Sequence, residues 1–183
     1  MRGRWVSGVL LGPALVACGA VDTLSPPDTT APPPSISAWV SAFAQFDTAT
    51  VVVRDAVGER ALEVWLAADD PQRQRGLMEV GDPALEGRDG MAFWFDAPTE
   101  GGFWMRNTRL PLTIVFVGED GGVVAIAEMF PCPDSETNCP VTRPGTGYRW
   151  ALEVPTSRWA EVVIDDTSTL TLVFDDVSAT GSS

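Results

Sequence analysis

A mainly β fold, a compact β-barrel or sandwich with one or two short helices, is the class this sequence predicts for residues 48–177. Three observations predict it. Short runs rich in Val, Leu, Ile, Phe and Trp recur at near-regular spacing between Thr50 and Phe174, as many short strands require. Glycines, prolines and acidic pairs punctuate those runs. Helix signals occur at two places only. With 183 residues and 45% hydrophobic content, the chain suffices for one domain with appendages and an ordinary core.

The elements follow in chain order. Arg2 and Arg4 form a short basic start, and Val6 to Val16 is an apolar run. It is too short to cross a bilayer as a helix, which takes roughly 20 residues, but suits the hydrophobic region of a secretory signal. The run ends Leu15-Val16-Ala17-Cys18-Gly19. This resembles the lipobox of bacterial lipoprotein precursors, in which a leucine stands three residues before a cysteine and a small residue directly before it. The resemblance implies a leader over residues 1–17, cleavage before Cys18, and a diacylglycerol on its sulfur. An ordinary signal peptide that happens to contain a cysteine is the alternative. Each buried methylene contributes about 0.8 kcal/mol, so more than one acyl chain anchors stably. Residues 18–47 then hold the lipidated Cys18, a tether rich in Pro, Thr and Ser that includes Ser25-Pro26-Pro27 and Ala31-Pro32-Pro33-Pro34, and a short helix or loop over Ser37 to Phe46. The tether lacks the apolar residues for a core and favours an extended chain of about 3.1 Å per residue. In the domain, Thr50–Val53 and Leu62–Leu66 predict strands joined by a turn at Gly58. Asp69-Asp70-Pro71 predicts a helix start, with aspartate as cap and proline in the first turn, running to about Met78. Strands are expected at Met91–Phe95, Gly102–Met105, Leu112–Val117, Val123–Met129, Tyr148–Val154 and Leu170–Phe174. A hairpin turn is expected at Glu119-Asp120-Gly121-Gly122, where glycine supplies positive φ, and a second short helix at Thr156–Val163. Residues 178–183 read as a flexible tail.

Composition excludes several chemistries. The net charge is −13, and all twelve basic residues are arginines. Such a chain repels nucleic-acid phosphates, so no nucleic acid is expected as a partner. With no histidine, Ser-His-Asp and Cys-His catalysis and histidine-ligated zinc are unavailable. With no lysine, neither a Schiff base nor a phosphate-binding P-loop lysine can form. No metal and no cofactor is expected. Once Cys18 is lipidated, Cys132 and Cys139 are the remaining thiols, seven positions apart in a loop bound for an oxidising compartment. A disulfide between them is expected, with about 2.5 kcal/mol of chain-entropy stabilisation. A redox-active pair is the alternative; the spacing is not Cys-x-x-Cys, and no basic residue adjoins either sulfur.

Several motifs occur in a particular order: Arg75-Gly76-Leu77-Met78, Gly90-Met91-Ala92-Phe93, Phe103-Trp104-Met105-Arg106-Asn107-Thr108, Leu110-Pro111-Leu112, Val115-Phe116, Pro131-Cys132 and Ala151-Leu152-Glu153-Val154. In this order the chain resembles the bacterial and archaeal domain-of-unknown-function family 192 over about Val51 to Val173. The resemblance implies a small β-rich fold with a short helix and no established activity. The family usually carries an aspartate where this chain has Thr113, whose hydroxyl suits a polar binding role better than a catalytic one.

Two aromatic runs, Phe93-Trp94-Phe95 and Phe103-Trp104, place apolar bulk beside an arginine, an asparagine and a threonine, as a binding surface needs; the candidate ligand-binding residues are Trp104, Arg106, Asn107, Thr108 and Arg75. Strand alternation puts Trp104 and Arg106 on one face, Met105 and Asn107 on the other. A structural alternative has Trp104 and Met105 in the core, with Asn107 and Thr108 holding a turn through the backbone. In the functional alternative Trp104 is a stacking platform flanked by polar groups, which suits a sugar. Glu128 and Glu153 are the candidates for catalysis: on neighbouring strands they could form the two-carboxylate apparatus of glycoside hydrolysis, which needs a separation of about 5–9.5 Å. These features lead to the expectation of a lipid-anchored, non-catalytic envelope protein that binds a glycan, peptide or protein. A carboxylate-dependent hydrolase of cell-wall glycan and a structural or assembly factor are the alternatives. The membrane partner would be the outer membrane in a two-membrane cell, since Gly19 and not aspartate follows the cysteine, and the outer face of the plasma membrane in a single-membrane cell.

Overall fold

The structure, a computed structural model, describes residues 42–175. The leader, Cys18, the proline-rich tether and the 178–183 tail lie outside the described residues. Nine strands and two short α-helices are formed among the described residues. They are β1 (Asp47–Arg54), β2 (Glu59–Ala67), α1 (Asp70–Arg75), β3 (Gly90–Thr99), β4 (Phe103–Trp104), β5 (Leu112–Val117), β6 (Val123–Met129), β7 (Val141–Thr142), β8 (Tyr148–Pro155), α2 (Trp159–Val162) and β9 (Thr169–Phe174).

Seven strands make one mixed sheet in the order β6-β5-β8-β3-β2-β1-β9, and β4 pairs with β7 in a separate ribbon. Only β2 and β3 run parallel. Their connection carries α1 and a long loop, the kind of crossover a parallel pair needs. The sheet coils until its edges touch at a single bridge, Gly122 to Thr169, beside which the Leu170 amide donates to the Gly121 carbonyl at 2.8 Å. Beyond that bridge β6 and β9 do not pair, so the sheet does not close into a barrel and the fold is sandwich-like.

Both faces of the sheet are covered. Met91, Phe93, Leu112, Ile114, Phe116 and Ala151 belong to one apolar cluster, together with Phe43, Leu77, Leu85 and Met105 from the chain packed over that face. Ala92, Val115, Val117, Leu152 and Val154 belong to the other, with Val51, Val64, Val162 and Leu170. This explains the sequence Leu-Thr-Ile-Val-Phe-Val in β5: every residue is buried because the strand lies between β6 and β8 and is covered on both faces. Phe43 stacks on Trp65 with ring centroids 4.7 Å apart, so the chain just before β1 packs on the domain.

Three local outcomes differ from expectation. Helix α1 stops at Arg75 and does not reach Met78, because Gly76 takes φ +44 and its amide closes the last turn on the Gln72 carbonyl. The bare Cα also fits against Phe93, whose ring would lie 3.3 Å from a Cβ. Strand β4 covers two residues and not four, and its partner β7 was not expected at all. Elsewhere the expected strands form, the Gly118–Gly122 turn joins β5 to β6 with Gly121 at φ +82, and a 3-10 turn at Thr156–Arg158 leads into α2.

Candidate functional site

The two aromatic runs, Phe93-Trp94-Phe95 and Phe103-Trp104, are brought together by tertiary packing. Phe93 and Phe103 meet edge to face at 5.0 Å, and Phe95 meets Tyr148 at 5.6 Å. Between them lies a cleft of about 260 Å3 lined by Phe93, Phe95, Phe103, Trp104 and Tyr148, with Gly101 and Gly102 in its wall and Asp70, Arg73 and Gln74 of α1 at its rim. Gly102 has room for no side chain, because the β7 segment packs against it: a Cβ there would meet Val141 and the Arg143 stem at 2.5 and 2.7 Å.

Among the cleft aromatics, Trp104 is the exposed one. It is 52% exposed, and the Arg106 guanidinium carbon lies 5.8 Å from its ring centroid. The pair thus shares a face, as strand alternation predicts, while Met105 turns into the core. Trp94, by contrast, borders a depression of about 300 Å3 at the open sheet edge but is already engaged, with Arg149 over its ring at 4.5 Å and Phe174 against it at 5.2 Å.

The rim of the cleft is held rigidly. Asp69 caps α1: its Oδ1 accepts from the Gln72 amide at 2.8 Å, and Gln72 Oε1 accepts in return from the Asp69 amide. This capping box fixes the direction of a helix too short to be stable alone. Arg73 donates to the Ala68 and Trp94 carbonyls and pairs with Asp70, with its guanidinium carbon 5.1 Å from the Phe95 centroid. Tyr148 donates its hydroxyl to the Gly101 carbonyl at 3.1 Å. Burial pushes its phenol up to about 12, so it remains a donor at any ordinary pH.

Asn107 and Thr108 leave the strand. Asn107 adopts φ +54; its amide donates to the Cys132 carbonyl at 2.9 Å and its carbonyl accepts from Glu79 at 2.8 Å. Thr108 is buried and its amide donates to the Met105 carbonyl at 3.0 Å. Their backbones therefore do hold a turn, while Asn107 also lines a second, open depression of about 410 Å3 together with Glu79, Thr108, Arg109, Pro131, Pro133 and Asp134. Arg75 does not line the aromatic cleft. Residues 70, 73 and 74 occupy that face of α1, and Arg73 takes the position expected of Arg75.

The two glutamates are not brought together. Glu153 pairs with Ile114 and Met91, whereas Glu128 pairs with Thr113. Ile114 and Thr113 are adjacent on β5, so the two carboxylates project from opposite faces of the sheet. Glu128 is exposed on the edge strand, and Glu153 is 4% exposed. Thr113 is buried and its hydroxyl lies 3.1 Å from that of Thr156, a neutral pair that would not accommodate an aspartate's charge unaided. Among the described residues no group of three or more His, Cys, Asp or Glu side chains is arranged to hold a metal ion.

The model of domain-of-unknown-function family 192, described as "Uncharacterized ACR", matches residues 51–172. The chain belongs to this family. That span runs from β1 to β9 and contains every residue of the aromatic cleft. Two solved structures share the fold. One, from Sinorhizobium meliloti 1021 and described as a "putative transcription regulator", is 27% identical with a TM-score of 0.57 over 69% of this chain and 95% of its own. The other, a protein of unknown function from Novosphingobium aromaticivorans DSM 12444, is 29% identical with a TM-score of 0.54 over 67% of this chain and 83% of its own. No curated protein matches.

The sequence points to the two aromatic runs that hold Phe95 and Phe103, but not to Arg73 or Tyr148 as cleft residues. The Gly101-Gly102 pair was the available signal, since adjacent glycines beside aromatics often mark a close approach. Tyr148 lies 44 positions from Trp104 and carries no local signal.

Proposed function

We propose that this protein is a non-catalytic binding module of the cell envelope, attached through a lipidated Cys18, and that it binds an envelope glycan by stacking a sugar ring on Trp104. One observation carries the reading: a half-exposed tryptophan stands at the mouth of an aromatic cleft with an arginine beside its ring. Binding sites combine apolar bulk with a few oriented polar groups, and here Arg73, Gln74 and Asp70 supply the polar rim. The regulator description of the Sinorhizobium protein is not extended to this chain, because a net charge of −13 opposes DNA phosphates. Hydrolysis is not favoured either, since it needs two carboxylates facing one bond.

The test is co-sedimentation of the full chain, solubilised in mild detergent, with purified peptidoglycan. Wild type should pellet with the glycan, and Trp104→Ala should weaken binding at least tenfold, since truncating an anchoring tryptophan costs about 2 kcal/mol or more. Equal pelleting of both proteins rejects the site. No pelleting of wild type rejects the glycan and leaves a peptide or protein partner as the reading to pursue.

A further inference from the structure

The chain from Phe130 to Thr142 is a strap across the Trp104 wall of the cleft, and it grips that wall at three points. At its start the Cys132 amide donates to the Met105 carbonyl at 3.1 Å, and the Cys132 carbonyl accepts from Asn107 at 2.9 Å. In its middle Asp134 pairs with Arg106 at 3.5 Å, the same arginine that lies against the Trp104 ring. At its end Val141 and Thr142 pair with Trp104 and Phe103 as β7 on β4. A bond between Cys132 and Cys139 ties the first grip to the last. Each grip alone is weak: a two-residue ribbon, one exposed ion pair and two backbone hydrogen bonds are all marginal in water. Closing the ring removes the freedom of the intervening loop, so the grips act together.

We propose that the Cys132–Cys139 bond is a redox-operated latch that holds Trp104 in its binding position and is opened by a dithiol reductant of the envelope. Cys132 is buried and Cys139 is half-buried, so attack is assigned to Cys139, the less enclosed of the two residues. A thiolate of the reductant attacks it, forming a mixed disulfide at Cys139 and expelling the Cys132 thiolate, which takes a proton from solvent. The reductant's second thiolate then attacks its own mixed-disulfide sulfur. The reductant leaves as a disulfide and Cys139 is freed as a thiol, two electrons having passed to the protein. The attacking thiolate belongs to the reductant, so neither cysteine needs a depressed pKa. With the ring open, β7 leaves β4, and Asp134 no longer steadies Arg106 over Trp104. The effect on ligand rests on the binding role proposed above; the mechanical effect does not.

The experiment treats the native full chain with dithiothreitol and follows two readouts. Amide hydrogen exchange should rise at least tenfold at Trp104, Asn107 and Val141–Thr142, with β3, β5 and β8 unchanged, and should reverse on reoxidation. Cys132→Ser/Cys139→Ser should show the same exchange without reductant. Peptidoglycan binding should fall at least tenfold in the reduced protein and in the double-serine variant. A bond that resists dithiothreitol in the folded protein overturns the proposal. So does exchange that is unchanged, or exchange that rises throughout the sheet. Loosened exchange with undiminished binding overturns the latch as a control of binding. Absent binding in the oxidised protein, with the local change in exchange intact, supports the latch and rejects only the glycan.

Discussion

Glu153 is enclosed between Met91 and Ile114 on the two neighbouring strands, and burial pushes its carboxyl up to about 8. In the unfolded chain it titrates near the ordinary value of about 4.3. Between those values the folded protein retains a proton that the unfolded chain has released, so stability is full below about pH 4 and falls as pH rises toward about 8. The slope is at most about 1.4 kcal/mol per pH unit. Asp55 and Asp165, held below the usual carboxylate range by hydrogen bonds from Arg60 and Thr167 respectively, act only at lower pH, and Tyr148 only at higher. Urea midpoints at pH 5 and pH 8 should therefore differ clearly for wild type and much less for Glu153→Gln; identical pH dependence in the two proteins would reject the account. Asn107 gives a second prediction. Its φ of +54 suits asparagine or glycine and penalises a β-branched residue. Asn107→Val should cost about 1–2 kcal/mol by chemical denaturation, and Asn107→Gly should stay within about 0.5 kcal/mol of wild type.

Helix α1 connects sequence to site in six residues. Its start was legible because the cap is local chemistry: an aspartate, then proline in the first turn, with a glutamine three residues on to close the box. Asp69→Ala should cost about 1 kcal/mol, and it should also weaken ligand binding, because Arg73 and Gln74 are carried to the cleft by this helix. A lowered denaturation midpoint with unchanged binding would separate α1 from the site. The ribbon β4–β7 shows the opposite case. Val141–Thr142 has no periodicity to read, and its pairing comes from the disulfide-closed loop that delivers it to Phe103–Trp104. Arg75 is the helix residue expected from sequence and Arg73 the one that lines the cleft, for a related reason: both are arginines near the helix end, and which of them faces the cleft depends on how the helix sits on the sheet.

At the scale of the whole molecule, an acidic β domain follows a proline-rich stretch and an N-terminal lipobox-like segment. No helix among the described residues is long and apolar enough to cross a membrane, so attachment in the proposed form depends on Cys18. Intact-mass analysis and fractionation test this: wild type should begin at Cys18 with added acyl mass in the membrane fraction, and Cys18→Ala should lose that mass. The same product from both would reject the anchor. Membership of the family was readable from the order of short motifs, and the strands from short β-branched and aromatic runs bounded by turn formers, because both signals lie within a few residues of one another. Joining Phe95, Phe103, Trp104 and Tyr148 around one cleft, and turning Glu128 and Glu153 to opposite faces, required the coiling and register of the sheet. Those arise from pairings between strands distant along the chain, and a shift of one residue reverses every side chain, so no local window contains them.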